Sequence, residues 1–330
     1  MLSEILTKQD FEAIVRAPSL EEAWGALTKT AYGDWLPESV RSDPLAIEKL
    51  LRETTARRFK RSTRTLKGKP AAAAAMLLSR WELDNLEFAL RLWHGKDLAL
   101  EEFLTYPSFV HAIPLFDITR AETIDEIALT LRATPYFEPV SASAKAYKEK
   151  HSILYVEIAL EKDYYRRLLE ATRALGGKDA LDGARVIASE TDMLNLSWLV
   201  RLLRYYEVQT SEFHEFMIPG PSAISRQLAS ADLTSDALDD MSSRFLVEKL
   251  STEDKGLSSL ERASLLEYMG SEMAVDVARS LLAGYPFSIT CTFSFYLLKR
   301  VELRNLCTVF AGKAAGLQEG EIAQRLYGLR

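Results

Sequence analysis

Apolar positions recur along this chain at three- and four-residue steps, the spacing that lays them on one face of an α-helix. Leu20, Ala23, Trp24 and Leu27 make one such stripe. Ser19 ahead of Leu-Glu-Glu reads as an N-cap with acids in the first turn, where they complement the helix dipole. A further helix is expected over Ile47 to Leu66, with Leu50, Leu51 and Phe59 apolar; Gly68 and Pro70 end it, and another helix starts over Ala71 to Leu78. Within Ile153 to Leu175, the residues Tyr155, Ile158, Ala159, Lys162, Tyr165 and Leu169 form a stripe in which the lysine stem can lie along apolar surface. Gly176-Gly177 stops that helix as glycine does at C-termini, and Asp179 to Arg204 resumes it. Leu260 to Leu282 and Ser288 to Ala315 predict a helical pair joined at Gly284-Tyr285-Pro286, and Glu321 to Leu329 a short last helix. Nowhere do several period-two alternations sit between turn signals. The expected fold class is all-α.

One motif recurs on these helices. Glu82-Leu-Asp-Asn85-Leu86 returns as Asp192-Met-Leu-Asn195-Leu196, inside the stretch Val186 to Gly220, and again as Glu302-Leu-Arg-Asn305-Leu306. The three asparagines are 110 residues apart in a chain of 330. A fixed period of that size marks a repeated module, so three helical modules are expected over 1–109, 110–220 and 221–330. The likeness reaches upstream of the motif. Ser19-Leu-Glu-Glu followed by Thr30-Ala-Tyr32 matches Thr123-Ile-Asp-Glu followed by Thr134-Pro-Tyr136, at a spacing not strictly that of the asparagines.

The acid and the asparagine stand at i and i+3, on one helix face. Asparagine is a poor mid-helix residue because its amide competes for backbone groups. Its return at one spacing implies a structural gain: a partly buried amide bonding across helices and fixing their register, each bond worth about 1 kcal/mol net. An acid–amide catalytic pair is the weaker alternative, since no nucleophile or histidine recurs with it.

Composition narrows the functions. Net charge is −6 and the isoelectric point is near 5.5, unlike a nucleic-acid binder with its basic surface. The two cysteines, Cys291 and Cys307, cannot build a disulfide framework; a reducing cytoplasm is expected, with both thiols behaving as small core residues. Charges at Glu4, Lys8 and Asp10 leave no signal-peptide core at the start. The longest uncharged run, Ser280 to Leu298, is interrupted at Gly284-Tyr285-Pro286 and diluted by five Ser or Thr residues; it reads as a buried hairpin rather than a membrane span.

The four histidines, His94, His111, His151 and His214, show no ligand spacing, so no metal is expected. Gly176-Gly177-Lys178-Asp179 lacks the earlier glycine and the Ser/Thr of a phosphate loop and follows a helix. No catalytic residue, cofactor or small-molecule substrate is indicated. The sharpest electrostatic feature runs from Arg57 to Lys69 and carries Arg57, Arg58, Lys60, Arg61, Arg64, Lys67 and Lys69 with no acid among them. Such a run is most often a solvated helix face and loop; the functional alternative is docking on an acidic partner surface or near anionic lipid headgroups.

Taken together, the modules resemble the C subunits of the bacterial and archaeal V/A-type ATPases, counterparts of the d subunit of the eukaryotic V-ATPase. Pro286-Phe287-Ser288 through Tyr296-Leu-Leu-Lys-Arg-Val-Glu302-Leu-Arg-Asn305-Leu306, ending in Gly312-Lys-Ala-Ala-Gly-Leu317 and Glu321-Ile322, is similar to that family's last helix pair. Glu190-Thr-Asp192-Met-Leu-Asn195-Leu196 with Phe216-Met-Ile-Pro219-Gly220 looks like the middle repeat, and Glu82 to Leu86 like the first; Pro107 lacks the glycine that follows Pro219. The resemblance implies three similar helical domains in a pseudo-threefold funnel. It implies a monomer within a hetero-oligomeric complex, seated on the cytoplasmic face of the membrane proteolipid ring and receiving the central shaft, built of the D and F subunits. Such a part transmits torque and needs no catalytic residue. Two other readings stay open from the residues alone. One is a helical-repeat adaptor for a protein partner, whose usual period is nearer 34 residues; the other is an all-α enzyme with an unrecognised site.

Overall fold

Short helix pairs alternate with long ones. The computed structural model describes residues 2–37, 43–96, 109–202, 213–230 and 258–329, and every regular element among them is helical. After a 3-10 turn at Leu2–Glu4, the short pair α1 (Lys8–Arg16) and α2 (Leu20–Thr28) leads to the long pair α3 (Pro44–Thr63) and α4 (Gly68–Gly95). Next come α5 (Leu115–Arg120) and α6 (Ile124–Thr130), an additional α7 (Phe137–Lys150), then the long α8 (Leu154–Arg173) and α9 (Gly177–Arg201). The last group is α10 (Phe213–Phe216) and α11 (Ala223–Leu228), the long α12 (Ser259–Leu282) and α13 (Thr290–Ala314), and a final short α14 (Glu319–Ala323). Both ends of α8 lie 110 residues beyond the matching ends of α3.

Local chemistry sets these limits. Thr7 and Asp10 form a capping box on α1, and Ser258 and Glu261 form another on α12, each satisfying two otherwise orphaned donors. Asp43 caps α3, with Pro44 at its first position. Pro70, expected to end a helix, instead sits in the first turn of α4, where a missing N–H removes no helical bond. At the α8–α9 junction Gly176 and Gly177 have φ of 77° and 53°, a left-handed pair that side chains disfavour. The α12–α13 hairpin departs from the buried one expected. Its arms pack inside, but Tyr285 and Phe287 at the turn are 70% and 84% exposed.

Each short pair caps the motif-bearing helix of a long pair. The pair α5–α6 follows α4 and packs against it; α11 packs on α9; and α1–α2, from the other end of the chain, packs on α13 and α14. The largest core lies among α3, α4, α8, α9, α12 and α13, where Phe59, Trp81, Phe295 and Tyr296 meet ring to ring. A second core joins α1, α2 and α13 through Trp24 and Phe310, edge to face at 5.8 Å. A third gathers Leu196, Trp198, Phe213 and Phe216 between α9 and α10.

Candidate functional site

The repeated acid holds the start of a short pair. Glu302 accepts the Leu6 N–H at 2.6 Å and the Tyr32 hydroxyl at 2.7 Å. Glu82 accepts the N–H groups of Val110 and His111 and the Tyr136 hydroxyl, the last at 3.4 Å, and His111 Nδ1 faces it at 2.9 Å. Asp192 accepts from the Ser222 and Ser225 hydroxyls and from the Ser225 N–H. The Thr-x-Tyr signature is the turn that aims each tyrosine. Thr30 donates to Leu27 O and accepts from Tyr32 N, and Thr134 treats Leu131 and Tyr136 in the same way. Burial, then the Glu302 carboxylate, raises the Tyr32 hydroxyl pKa well above its usual value, so it stays a donor.

The asparagines hold loops rather than neighbouring helices. Asn195 Nδ2 donates to Ile218 O at 2.9 Å and its Oδ1 accepts Ile218 N–H at 2.7 Å. Asn305 makes the same two bonds to Tyr327, at 2.7 and 3.0 Å. The clamped residues follow the asparagine by 23 and 22 positions. Asn85 is buried at the matching place on α4; the residues at those distances from it, Pro107 and Ser108, lie outside the described residues, as do 203–212 of the Val186 to Gly220 stretch. Gly220 is required beside the middle clamp, since a Cβ there would lie 2.5 Å from Thr191 Oγ1 and 2.6 Å from Ser225 Oγ. Leu86, Leu196 and Leu306 are buried, each in a different core. These nine motif residues therefore form three separate anchors and do not converge on one site.

Another set of side chains does converge. Around the motifs, α4, α9 and α13, joined by side chains of α3, α8 and α12, line a cavity of about 510 Å³. Asp84, Leu194 and Arg304 line it; so do Glu87, Ser197 and Cys307, and again Arg91, Arg201 and Ala311. Each of these triplets is spaced at 110 residues. Neither the motif acids nor the asparagines face this cavity. Six arginines (52, 80, 91, 201, 300 and 304) line it against four carboxylates, Glu48, Asp84, Glu87 and Glu161. A basic excess thus lines a cavity of an acidic chain.

The deep part of the lining is internally paired. Arg80 grips Glu161 with both terminal nitrogens and reaches Asp84 at 2.9 Å. Arg300 also pairs with Asp84, and Arg52 approaches it at 3.7 Å. Burial opposes the Asp84 charge, but Arg300, Arg80 and Arg52 together outweigh it and hold the carboxyl well below the usual range. Burial, then the Glu161 carboxylate, pushes Glu87 well above its usual range, against the pull of Arg80 and Arg91. Around these groups Arg91, Arg201 and Arg304 retain water contact. Arg201 stacks over Trp198 at 5.4 Å, leaving guanidinium donors free to meet carboxylates.

This lining offers recognition chemistry. Its one thiol, Cys307, is pushed up to about 12 by burial and then by Glu48, far from a reactive thiolate. Among the described residues no group of three or more His, Cys, Asp or Glu could hold a metal ion. Sequence reading missed the lining arginines, although stepping Arg91 forward by the period gives Arg201, and stepping Arg80 forward by two periods gives Arg300.

The basic run Arg57 to Lys69 divides by environment. Arg58 is buried, bonded to Glu4 at 3.1 Å and set over the Tyr32 ring. Arg57 pairs with Glu53, Lys60 donates to Phe109 O, and Arg61 stacks on Trp35. Arg64, Lys67 and Lys69 stand exposed at the α3–α4 turn.

Comparison with known proteins gives consistent matches. The family model described as ATP synthase (C/AC39) subunit matches residues 1–325. The C subunit of the A-type ATP synthase of Methanocaldococcus jannaschii is 22% identical over 333 residues, covering 96% of this chain and 81% of that protein. The A-type C subunit of Archaeoglobus fulgidus is 23% identical, covering 99% and 93%, and that of Methanosarcina acetivorans 24% identical, covering 99% and 89%.

Proposed function

Since this chain belongs to the ATP synthase (C/AC39) subunit family, we propose that it is the central-stalk part of a rotary V/A-type ATPase, joining the D/F shaft to the membrane proteolipid ring. It is a non-catalytic subunit of that complex; its task is to carry torque between shaft and ring, coupling ATP turnover to H⁺ or Na⁺ transport. The observation that carries this reading is the central cavity, where lining positions repeat at 110 residues on three helices. A coupling collar needs a stiff, shaped socket with polar groups that fix orientation. The paired floor of Arg80, Glu161, Asp84 and Arg300 supplies stiffness, and the outer arginines supply complementarity to an acidic shaft end.

The three modules, 1–109, 110–220 and 221–330, are arranged in this reading with pseudo-threefold symmetry around that socket. The exchanged caps support it, because each short pair clasps the motif helix of the preceding module and the first pair clasps the last. No helix among the described residues is long and apolar enough to cross a membrane, which suits a peripheral subunit on the cytoplasmic face. The test is co-purification. A tagged chain in a detergent extract is expected to bring down shaft, proteolipid and catalytic subunits, and Arg91→Glu with Arg201→Glu to lower shaft recovery while helix content is kept. Recovery of the chain free of ATPase subunits would overturn the reading.

A further inference from the structure

Between α4 and α8, three carboxylates share two guanidiniums. Glu157 and Glu161 stand one turn apart on α8 and face Arg80, Glu87 and Arg91 of α4. Arg80 gives both terminal nitrogens to Glu161, and Arg91 gives its Nε to Glu157 at 2.5 Å. Glu87 has only what remains, Arg91 Nη2 at 3.5 Å and Arg80 Nη2 at 4.0 Å. Its Oε1 is sealed from water and has no hydrogen-bond partner among the described residues. The charges around this cluster are committed elsewhere. Asp84 pairs with Arg300, Arg80 and Arg52, and Glu48 of α3 with Arg52. Lys49 lines the smaller recess that α3 shares with Glu87. Arg201 of α9 stacks on Trp198, and Arg304 of α13 pairs with Glu267 of α12. From α5, the apolar Leu115 and Ile118 meet α4.

We propose, on the central-stalk reading, that seating the shaft in this cavity loads a proton from solvent onto the Glu87 carboxylate, so that the socket grips more tightly as pH falls. The route is Arg91, whose side chain is 46% exposed and reaches both the cavity and the buried acids. An acidic shaft end draws the donors of Arg91 and Arg201 toward itself and drives out the water around them. Glu87 then loses cationic support, loses nearby water and gains an anionic neighbour, and all three changes favour the neutral acid. The contact that gives way is the 3.5 Å one from Arg91 Nη2 to Glu87, while Nε stays on Glu157. Glu161 keeps its two bonds from Arg80. The new O–H bond therefore forms on Glu87, where it neutralises the carboxylate with the unpartnered oxygen. In the free chain, burial and then Glu161 already push Glu87 well above its usual range. Burial raises Glu157 too, against the pull of Arg91, so these acids titrate as a unit that a docking partner can tip. One proton taken up on binding makes affinity fall about tenfold per pH unit across the window where it is exchanged.

The test is titration calorimetry of the full chain with the purified D/F shaft pair, in buffers of high and low ionisation enthalpy, from about pH 5 to about pH 8. The dependence of the binding heat on the buffer counts the protons exchanged. Wild type is expected to take up as much as about one proton more than Glu87→Gln within that range, and its affinity to fall more steeply with pH, by up to about tenfold per unit. Protons exchanged by the shaft's own groups are common to both chains and cancel in the difference. Glu149→Gln, on the exposed face of α7, should keep the wild-type proton count, with helix content equal in all variants. Infrared difference spectra of docked against free chain should show a gain in carboxylic-acid C=O absorption that Glu87→Gln lacks. Equal proton counts in wild type and Glu87→Gln, a smaller uptake by wild type, the same loss from Glu149→Gln, or an infrared gain that survives Glu87→Gln overturns the proposal. In each of those cases the shaft still binds, and the central-stalk reading stands. Absence of shaft binding at every pH removes that reading, and the proton uptake with it.

Discussion

Replacing Asn195 by alanine strikes the middle anchor at its best-defined point. The side chain is fully buried and gives Ile218 both a donor and an acceptor, with a third bond from Nδ2 to Ser225 Oγ at 3.2 Å. Ile218 is 1% exposed, so water cannot readily replace the amide. Each stranded backbone group costs about 1–3 kcal/mol. Alanine returns about 0.5 kcal/mol through its better helix propensity. With two groups stranded, the expected net loss is about 1.5–5.5 kcal/mol, localised on the segment that Asn195 holds. Amide exchange reads this directly: protection of the Ile218 N–H should fall by about 10- to 10,000-fold, while the first turns of α9 keep theirs. Protection changed by less than about threefold (under ~0.7 kcal/mol) would refute the idea that the repeated asparagine is a loop clamp.

Three further outcomes follow from the buried charges and thiol. Arg80→Met should cost about 3–5 kcal/mol by stranding the buried Glu161 carboxylate; Glu161→Gln, which leaves Arg80 paired with Asp84, should cost less, and the double change should cost much less than the sum; additive losses in denaturant melts would contradict the pairing. Glu87 holds its proton to higher pH in the folded chain than in the unfolded one, so stability falls as pH rises from the unfolded value of about 4.3 through the raised folded one. Glu87→Gln should therefore match wild type in Tm near pH 4, roughly the unfolded value, and exceed it at alkaline pH; a constant offset would count against it. Burial, then Glu48, pushes the Cys307 thiol up to about 12, so alkylation at Cys307 of the folded chain at mildly alkaline pH should be slow and should quicken on denaturation; fast labelling of Cys307 in the native chain would show that thiol to be open.

The periodic part of this architecture was legible because it is local. Asn85, Asn195 and Asn305 marked the three long helices, and the cap at Ser19 and the glycines at 176 and 177 placed helix ends to within a few residues. The helices α1, α5, α7 and α11 escaped notice; α1 carries a readable stripe in Phe11, Ile14 and Val15, whereas α5 and α11 span only 6 residues each. Partnership was not legible. On α8 the apolar stripe through Tyr155 and Tyr165 drew attention away from Glu157 and Glu161, which are buried because Arg91 and Arg80 reach them from α4. Arg58 looked like one more cation in a solvated run, yet Glu4, Tyr32 and Trp35 enclose it. The same distance in sequence hid the clasp between Leu6 and Glu302, which joins the two ends of the chain. Charge in sequence suggests surface; only tertiary contact shows where opposite charges meet inside.

The most direct measurement places a photo-crosslinking amino acid at Ser197, on the cavity wall, in the assembled complex, with Lys145 on the exposed face of α7 as the comparison site. Irradiation should join Ser197 to a shaft protein and leave Lys145 without that adduct. An intact complex in which Ser197 crosslinks to nothing, or only to the proteolipid, would contradict a socket built by the three motif helices for the shaft.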